Sequence, residues 1–438
     1  MEQTTQEQQE RREARRKRRV RNQILAYSAV IIFIIALAAG IVFGVRYLTK
    51  ESRRHQQEQQ EQVNDMIGTE ETLPEPEPDT EEPVPELTAE QKLDEIVNSV
   101  IEVLPLEDKV AGLFIVTPES ITGVTTAVKA GDGTKEALTK YSVGGIVYNT
   151  KNIQNETQFK EMIDNTKLYT SYPLFIAVED EGGKISPLQE KGLADKQDGG
   201  AELAQNGDAA KAYEVGSAIG AYLSDYGFNL DFAPVADLSS VENSIMASRA
   251  YGSDAASVSP YVASMVQGLK SQGVSACLKH FPGMGSTTQD TDKGLASTDR
   301  SEQDFRDNEF QVFQAGIDAG ADMVMVSHMA APSLAGDNTP CSMSSQVVTE
   351  LLRKELGFNG VIITDAMNVT AITDYYDAGD AAVQALRAGC DMILMPEDFE
   401  KAYNSVLENV QSGVISEERI NDSLRRVYRI KYADSVAE

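Results

Sequence analysis

Cysteine and histidine are scarce in this chain of 438 residues, and tryptophan is absent. Three cysteines, Cys277, Cys341 and Cys390, cannot make a disulfide scaffold, and no C-x-x-C pair offers a zinc site. Three histidines, His55, His280 and His328, argue against a multi-histidine metal centre, and no metal or cofactor is expected. No Walker loop or dinucleotide fingerprint occurs; GDGTK at 131–135 lacks the flanking pattern and reads as a turn. Basic charge is also short, with 39 Lys+Arg against 68 Asp+Glu and a net of -29. Such a surplus of acid excludes nucleic acid as the main partner, because a phosphate backbone needs a basic footprint.

The charge is unevenly placed. Residues 1–50 carry 10 Lys+Arg and 4 Asp+Glu, whereas the remainder holds 29 basic and 64 acidic groups. Residues 24–45 (ILAYSAVIIFIIALAAGIVFGV) form an uncharged run of 22. At ~1.5 Å per residue a helix of that length crosses a hydrocarbon core of ~30 Å. It exceeds the ~7–15 residues of a signal-peptide core, so a permanent span is expected. Arg11, Arg12, Arg15, Arg16, Lys17, Arg18, Arg19 and Arg21 precede it and few bases follow. Positive charge stays in the cytoplasm, which makes 1–23 a basic cytoplasmic tail and puts everything after Lys50 outside. Residues 46–87, rich in Gln and Glu and then in Pro and Glu, read as an extended acidic linker.

From 88 to 438 the pattern changes. Thr88-Ala-Glu-Gln91 has the form of a capping box that opens a helix. Eight apolar runs follow, each succeeded by a helical stretch: 111–117, 143–149, 173–180, 229–237, 274–282, 321–329, 360–367 and 390–396. Continuous rather than alternating apolar runs suit parallel strands buried on both faces. Eight such units predict an α/β fold closed into an eight-stranded β/α (TIM-type) barrel, with an open doubly wound sheet as the alternative. Polar residues cluster at the ends of the runs: Glu179 and Asp180, Asp231, Lys279 and His280, Ser327 and His328, and Asp365. The C-terminal rim of a barrel is where catalytic groups gather. Cys277, Cys390, Met323, Met325, Met329, Met392 and Met395 read as barrel packing, and Arg425 and Arg426 in the last helix as solvated or capping groups.

IAVEDEGGK (176–184), NLDFAPVAD (229–237), SRAYGSD (248–254), LKHFPGMGS (278–286) and LGFNGVIITDAMNV (356–369) occur in that order on the eight runs. Together they resemble glycoside hydrolase family 3, in its single-domain β-N-acetylglucosaminidase (β-hexosaminidase) branch, over about Leu87 to Lys431. The resemblance implies a monomeric barrel with no second domain, and retaining cleavage of a β-glycoside through a covalent glycosyl-enzyme. Asp365 in IITDAM matches the nucleophile, and a second group acts as acid/base. Substrate-binding roles carry over to Arg249, Lys279 and His280. Glu179 stands where the family has Asp, and Pro187 where it has Arg. Without tryptophan, stacking on a sugar falls to tyrosine and phenylalanine.

In this branch the acid/base sits on a loop after the fifth strand, as an Asp-x-His dyad within a segment like GHGxxxxDSH. Here the loop reads GMGSTTQDTDKG, so that Met284 replaces the first His and the dyad becomes Asp290-Thr291-Asp292. In one reading Asp292 is the acid/base, its pKa raised by Asp290 and opposed by Lys293. In the other the barrel binds glycan without cutting it. Two loop carboxylates repel a phosphate dianion, which favours hydrolysis over transfer to phosphate. The resemblance and the expected topology together point to turnover of cell-wall peptidoglycan on a bacterial membrane.

Overall fold

The structure is a computed structural model that describes residues 87–436. Eight parallel strands close into a barrel: β1 (Phe114–Val116), β2 (Gly145–Val147), β3 (Phe175–Val178), β4 (Leu230–Asp231), β5 (Ser275–Phe281), β6 (Met323–Val326), β7 (Val361–Ala366) and β8 (Met392–Leu394). Each lies inside one of the eight apolar runs. Pairing of β1 with β8, Phe114 against Ile393 and Ile115 against Leu394, leaves no open edge and rules out the doubly wound alternative. Nearly every strand residue is buried, on the inside by facing side chains and on the outside by helices, which is why the runs do not alternate.

Two pairings slip in register, β5 with β6 between Leu278 and Phe281, and β7 with β8 between Ile363 and Ala366. Both irregularities fall at C-terminal strand ends. Such slips re-aim side chains locally, and these segments carry Lys279, His280 and Asp365.

Thr88 caps the first described helix, Ala89–Val103, and the box is complete: Gln91 N–H donates to Thr88 Oγ1 at 3.2 Å and Thr88 N–H to Gln91 Oε1 at 2.9 Å. The helix buries Leu93, Val97 and Ile101 and packs on the last helix, Glu417–Lys431. Cys277, Cys341 and Cys390 are all free thiols in the core. Met323, Met325, Met329 and Met392 are buried as expected, and Met395 is half-buried.

Two expectations are corrected. GDGTK is not a simple turn, since Gly131 caps a helix spanning Asp132–Lys140, into which Asp132 enters at the favourable N-terminal pole. Arg426 is more than a solvated or capping group, although its side chain keeps 29% of its exposure. Its Nη1 lies 3.1 Å from Oδ1 of Asp391, a fully buried carboxylate just before β8. Asp391 also receives Arg353 at 2.5 Å, Ser423 Oγ at 2.7 Å and the Ile362 N–H at 2.9 Å, with Arg419 at 3.8 Å. One carboxylate thus ties the last helix to β7 and β8 and is shared by three guanidiniums. Removing one side of a buried ion pair costs about 3–5 kcal/mol. Asp391→Ala is expected to lower the unfolding free energy by about that amount, read as a reduced urea midpoint at unchanged slope.

Among the described residues no helix is long and apolar enough to cross a membrane. The expected span at 24–45, the basic tail before it and all but the last residue of the linker lie outside the described residues.

Candidate active site

The C-terminal rim gathers the predicted residues. Glu179 follows β3, Lys279 and His280 belong to β5, Asp365 to β7, and Arg249 comes from the long segment between β4 and the helix Ala255–Lys270. Gly200 permits that last approach, because a Cβ there would sit 2.3 Å from the Arg249 carbonyl oxygen.

A charge quartet forms one wall. Lys279, 1% exposed, places Nζ 2.7 Å from Glu179 Oε1 and 2.6 Å from Glu181 Oε1. Arg249 donates from Nε to Glu181 Oε2 at 2.9 Å and from Nη2 to Glu179 Oε1 at 3.2 Å, and also pairs with Glu181 Oε1. A buried and a half-buried cation are offset by two acids, as ions removed from water must be. Burial pushes the Glu181 carboxyl up, but Lys279 and Arg249 outweigh it and hold the group well below the usual carboxylate range. Burial likewise disfavours the Lys279 ammonium, and Glu179 and Glu181 reverse that, raising its pKa. Glu181 is a residue that sequence reasoning left without a role, although it stands in the quoted EGG. The extra methylene of Glu179 carries its carboxylate onto both cations while its side chain stays 44% exposed toward the site. Pro187 is buried at the start of a short helix and supplies no cation there.

His280 is fixed from behind. Asp237 Oδ2 lies 2.7 Å from His280 Nδ1 and accepts the His280 backbone N–H at 3.2 Å, while Oδ1 accepts the Met284 N–H at 2.6 Å. A carboxylate that receives two backbone donors acts as acceptor to the ring as well, so Nδ1 carries the proton. Asp237 is the second residue without a role in the sequence reading; it closes the quoted NLDFAPVAD.

His328, just beyond β6, is also immobilised. Nε2 lies 3.0 Å from the Ala366 carbonyl, which can only accept, so the proton is on Nε2 and Nδ1 accepts from Ser342 Oγ at 2.8 Å. Burial pushes its pKa down. The imidazole therefore braces the backbone beside Asp365. Asp365 Oδ1 accepts the Ala366 N–H at 2.8 Å. Burial works against its charge, but His280, His328, that N–H and Lys279 outweigh it, and the carboxyl lies below its ordinary range.

Asp180 and Asp231 stand behind the wall rather than in it. Both are fully buried, and Asp231 Oδ1 accepts the Asp180 N–H at 2.9 Å. Asp180 Oδ2 accepts from Ser186 Oγ at 2.7 Å and Tyr222 Oη at 2.8 Å, which shapes the turn that presents Glu179 and Glu181. Burial pushes Asp180 up to about 6.

The loop after β5 is anchored at both ends. Gly285 passes so close to Leu238 that a Cβ would lie 1.8 Å from its carbonyl oxygen. Met284, in place of the expected histidine, is buried with Val235, Met246 and Ala250. At the tip, Asp290 Oδ1 accepts the Asp292 N–H at 3.0 Å and Oδ2 pairs with Lys293 at 2.8 Å. Asp290 is thereby held below the usual range, chiefly by Lys293. Lys293 is thus engaged by Asp290. The loop is latched to the segment after β7: Thr370 Oγ1 donates to the Asp292 carbonyl at 2.7 Å, and Ala371 N–H to the Thr291 carbonyl at 3.0 Å. Partial burial raises the Asp292 pKa, and the carboxylates of Asp290, Asp365 and Glu179 raise it further against Arg249. Asp292 therefore feels the charges of the site, while Asp365 is held anionic.

Residues 105–430 match the Glycosyl hydrolase family 3 N terminal domain. Beta-hexosaminidase A of Pseudoalteromonas piscicida is 29% identical over 327 residues, covering 68% of this chain and 54% of that protein. The chain thus spans about half the length of that relative. A Beta-hexosaminidase of Methylobacillus flagellatus is 31% identical over 273 residues, 61% of this chain and 77% of that one. Among solved structures, a glycoside hydrolase family 3 beta-N-acetylglucosaminidase from Paenibacillus sp. superimposes with a TM-score of 0.72 at 33% identity, covering 76% of this chain and 63% of the other. The Beta-N-acetylhexosaminidase from Beutenbergia cavernae gives a TM-score of 0.68 at 28% identity, over 75% of this chain and 98% of that one. A match over this span, on a closed eight-stranded barrel, means that the chain belongs to glycosyl hydrolase family 3.

Proposed function

We propose that this protein is a membrane-anchored β-N-acetylhexosaminidase that removes β-linked N-acetylglucosamine-type sugars from bacterial cell-wall glycans with retention. One observation carries the catalytic reading. Asp292 on the loop after β5 feels the charge of Asp365 at the end of β7, and the two carboxyls are pushed in opposite directions, Asp365 down and Asp292 up. Retaining glycosidases need that division, an anionic nucleophile under the anomeric carbon and a protonated acid at the leaving oxygen. Asp365 is the nucleophile, on the same rim as the quartet and His280. Asp292 is the acid, which then serves as base toward water in the second step. Glu179, Arg249, Lys279 and His280 bind the sugar hydroxyls, and Asp290 holds the loop tip through the Asp292 N–H. Water is the acceptor, since the two loop carboxylates disfavour a phosphate dianion.

The test is release of aglycone from an aryl β-N-acetylglucosaminide by the wild type and its loss in Asp365→Ala. Equal background rates for both, with retained glycan binding, would replace this reading by that of a glycan-binding scaffold. Free sugar rather than sugar 1-phosphate is expected in phosphate buffer.

Anchoring rests on the uncharged run at 24–45 and the basic residues before it. Protease added to intact cells is expected to release the barrel. A barrel that stays protected there would mean the opposite orientation.

A further inference from the structure

The end of the barrel away from the rim holds a cavity of about 490 Å³. It opens between the N-terminal ends of β3, β5, β6 and β7 and the C-terminal turn of the helix Glu417–Lys431. Four cations line it, Lys270, Arg426, Arg429 and Lys431, with Asp322 and Asp434. In a chain of net charge -29 this is an unusual concentration.

Three of the four are engaged. Lys270 pairs with Asp322 at 2.6 Å, Arg429 with Glu90 at 2.9 Å and with Asp94, and Arg426 with Asp391 at 3.1 Å. Asp391 is shared with Arg353 and Arg419, so it leaves that cluster with a surplus of positive charge. Lys431 differs. Among the described residues its ammonium has no carboxylate partner. Nζ donates to the Gly144 carbonyl at 2.7 Å and lies 4.7 Å from the centroid of the buried Phe175 ring. Two of its three N–H groups are left without a protein acceptor. The nearby helix C-terminus and the aromatic ring favour a cation but supply no counter-charge.

We propose that this cavity is a binding site for an anion of the phosphate class, held by Lys431 and by the guanidinium of Arg426. Both line the cavity, and an ammonium acting as a point charge together with a planar guanidinium suits phosphate oxygens. The site is separate from the rim and does not depend on the catalytic reading. Burial pushes the Lys431 pKa down to about 7. Binding of a dianion would reverse that, so that binding above pH 7 takes up a proton. The charged groups that line the cavity with Lys431 are Lys270, Arg426, Arg429, Asp322 and Asp434.

The test is isothermal titration calorimetry of the full-length protein in detergent with inorganic phosphate, in two buffers of different ionisation enthalpy at pH 8. Saturable binding at one site with uptake of close to one proton is expected. Lys431→Met should weaken binding at least tenfold while leaving aryl-glycoside hydrolysis unchanged. Lys431→Arg, always charged, should retain binding and lose the proton uptake. Glycerol 3-phosphate and glycerophosphoglycerol, compared with phosphate, distinguish a free anion or monoester from a lipid-type diester as the source. Absence of saturable binding of all three to the wild type, or Lys431→Met binding within twofold of it, would overturn the proposal.

Discussion

Asp365→Ala is expected to lower kcat for an aryl β-N-acetylglucosaminide by on the order of 10⁴–10⁶-fold, the scale seen when a nucleophile is removed from a covalent mechanism. The structure explains why no neighbour would substitute. His280 is held by Asp237, His328 by Ser342 and the Ala366 carbonyl, and Glu179 and Glu181 by Lys279 and Arg249. Each is fixed by partners of its own, so none is free to reach the anomeric carbon. The fold should survive, because among the described residues Asp365 makes one local hydrogen bond to Ala366 and no ion pair within 4 Å, against the cost of its burial. Near-native thermal unfolding, coupled with loss of turnover, separates a chemical role from a structural one. Activity within tenfold of wild type would show that Asp365 is not the nucleophile.

Asp292→Ala is expected to cost about 10²–10⁴-fold for a poor leaving group, the usual contribution of a general acid, and far less for a nitrophenolate of low pKa. The pH profile gives an independent reading. Asp365 sits below the ordinary carboxylate range, so it becomes the active anion early as pH rises and sets the acidic limb. Asp292 sits above that range, so it stays protonated longer and its ionisation sets the basic limb. Asp292→Ala should therefore abolish the basic limb and leave the acidic one in place. Equal losses for good and poor leaving groups would remove Asp292 from this role. Thr370→Val provides a companion measurement, since it breaks only the latch to the Asp292 carbonyl. A side-chain hydrogen bond is worth about 0.5–1.5 kcal/mol, so a loss of about 2- to 10-fold is expected, greatest for poor leaving groups and restored in Thr370→Ser.

Much of the architecture was legible along the chain because it is locally encoded. Strands buried on both faces must be continuously apolar, and eight such runs separated by helices leave few ways to fold. The capping box at Thr88 was readable for the same reason, both of its hydrogen bonds lying within four residues. GDGTK and Arg426 were misread where context decides. Gly131 caps a helix that lacks a capping side chain, and Arg426 meets Asp391 from 35 residues away.

The candidate site divides along the same line. Which side chains are available can be read along the chain: Asp365 in its motif, Lys279 and His280 side by side, and Asp290 and Asp292 without a histidine. Their charge and tautomeric state come from the fold. It brings Glu181 onto Lys279 and Arg249, sets Asp237 behind His280, and latches the Asp292 loop to Thr370. Charge at such a site depends on burial and on partners far off in sequence, and those interactions fall off over a few ångströms in space, whatever the separation along the chain.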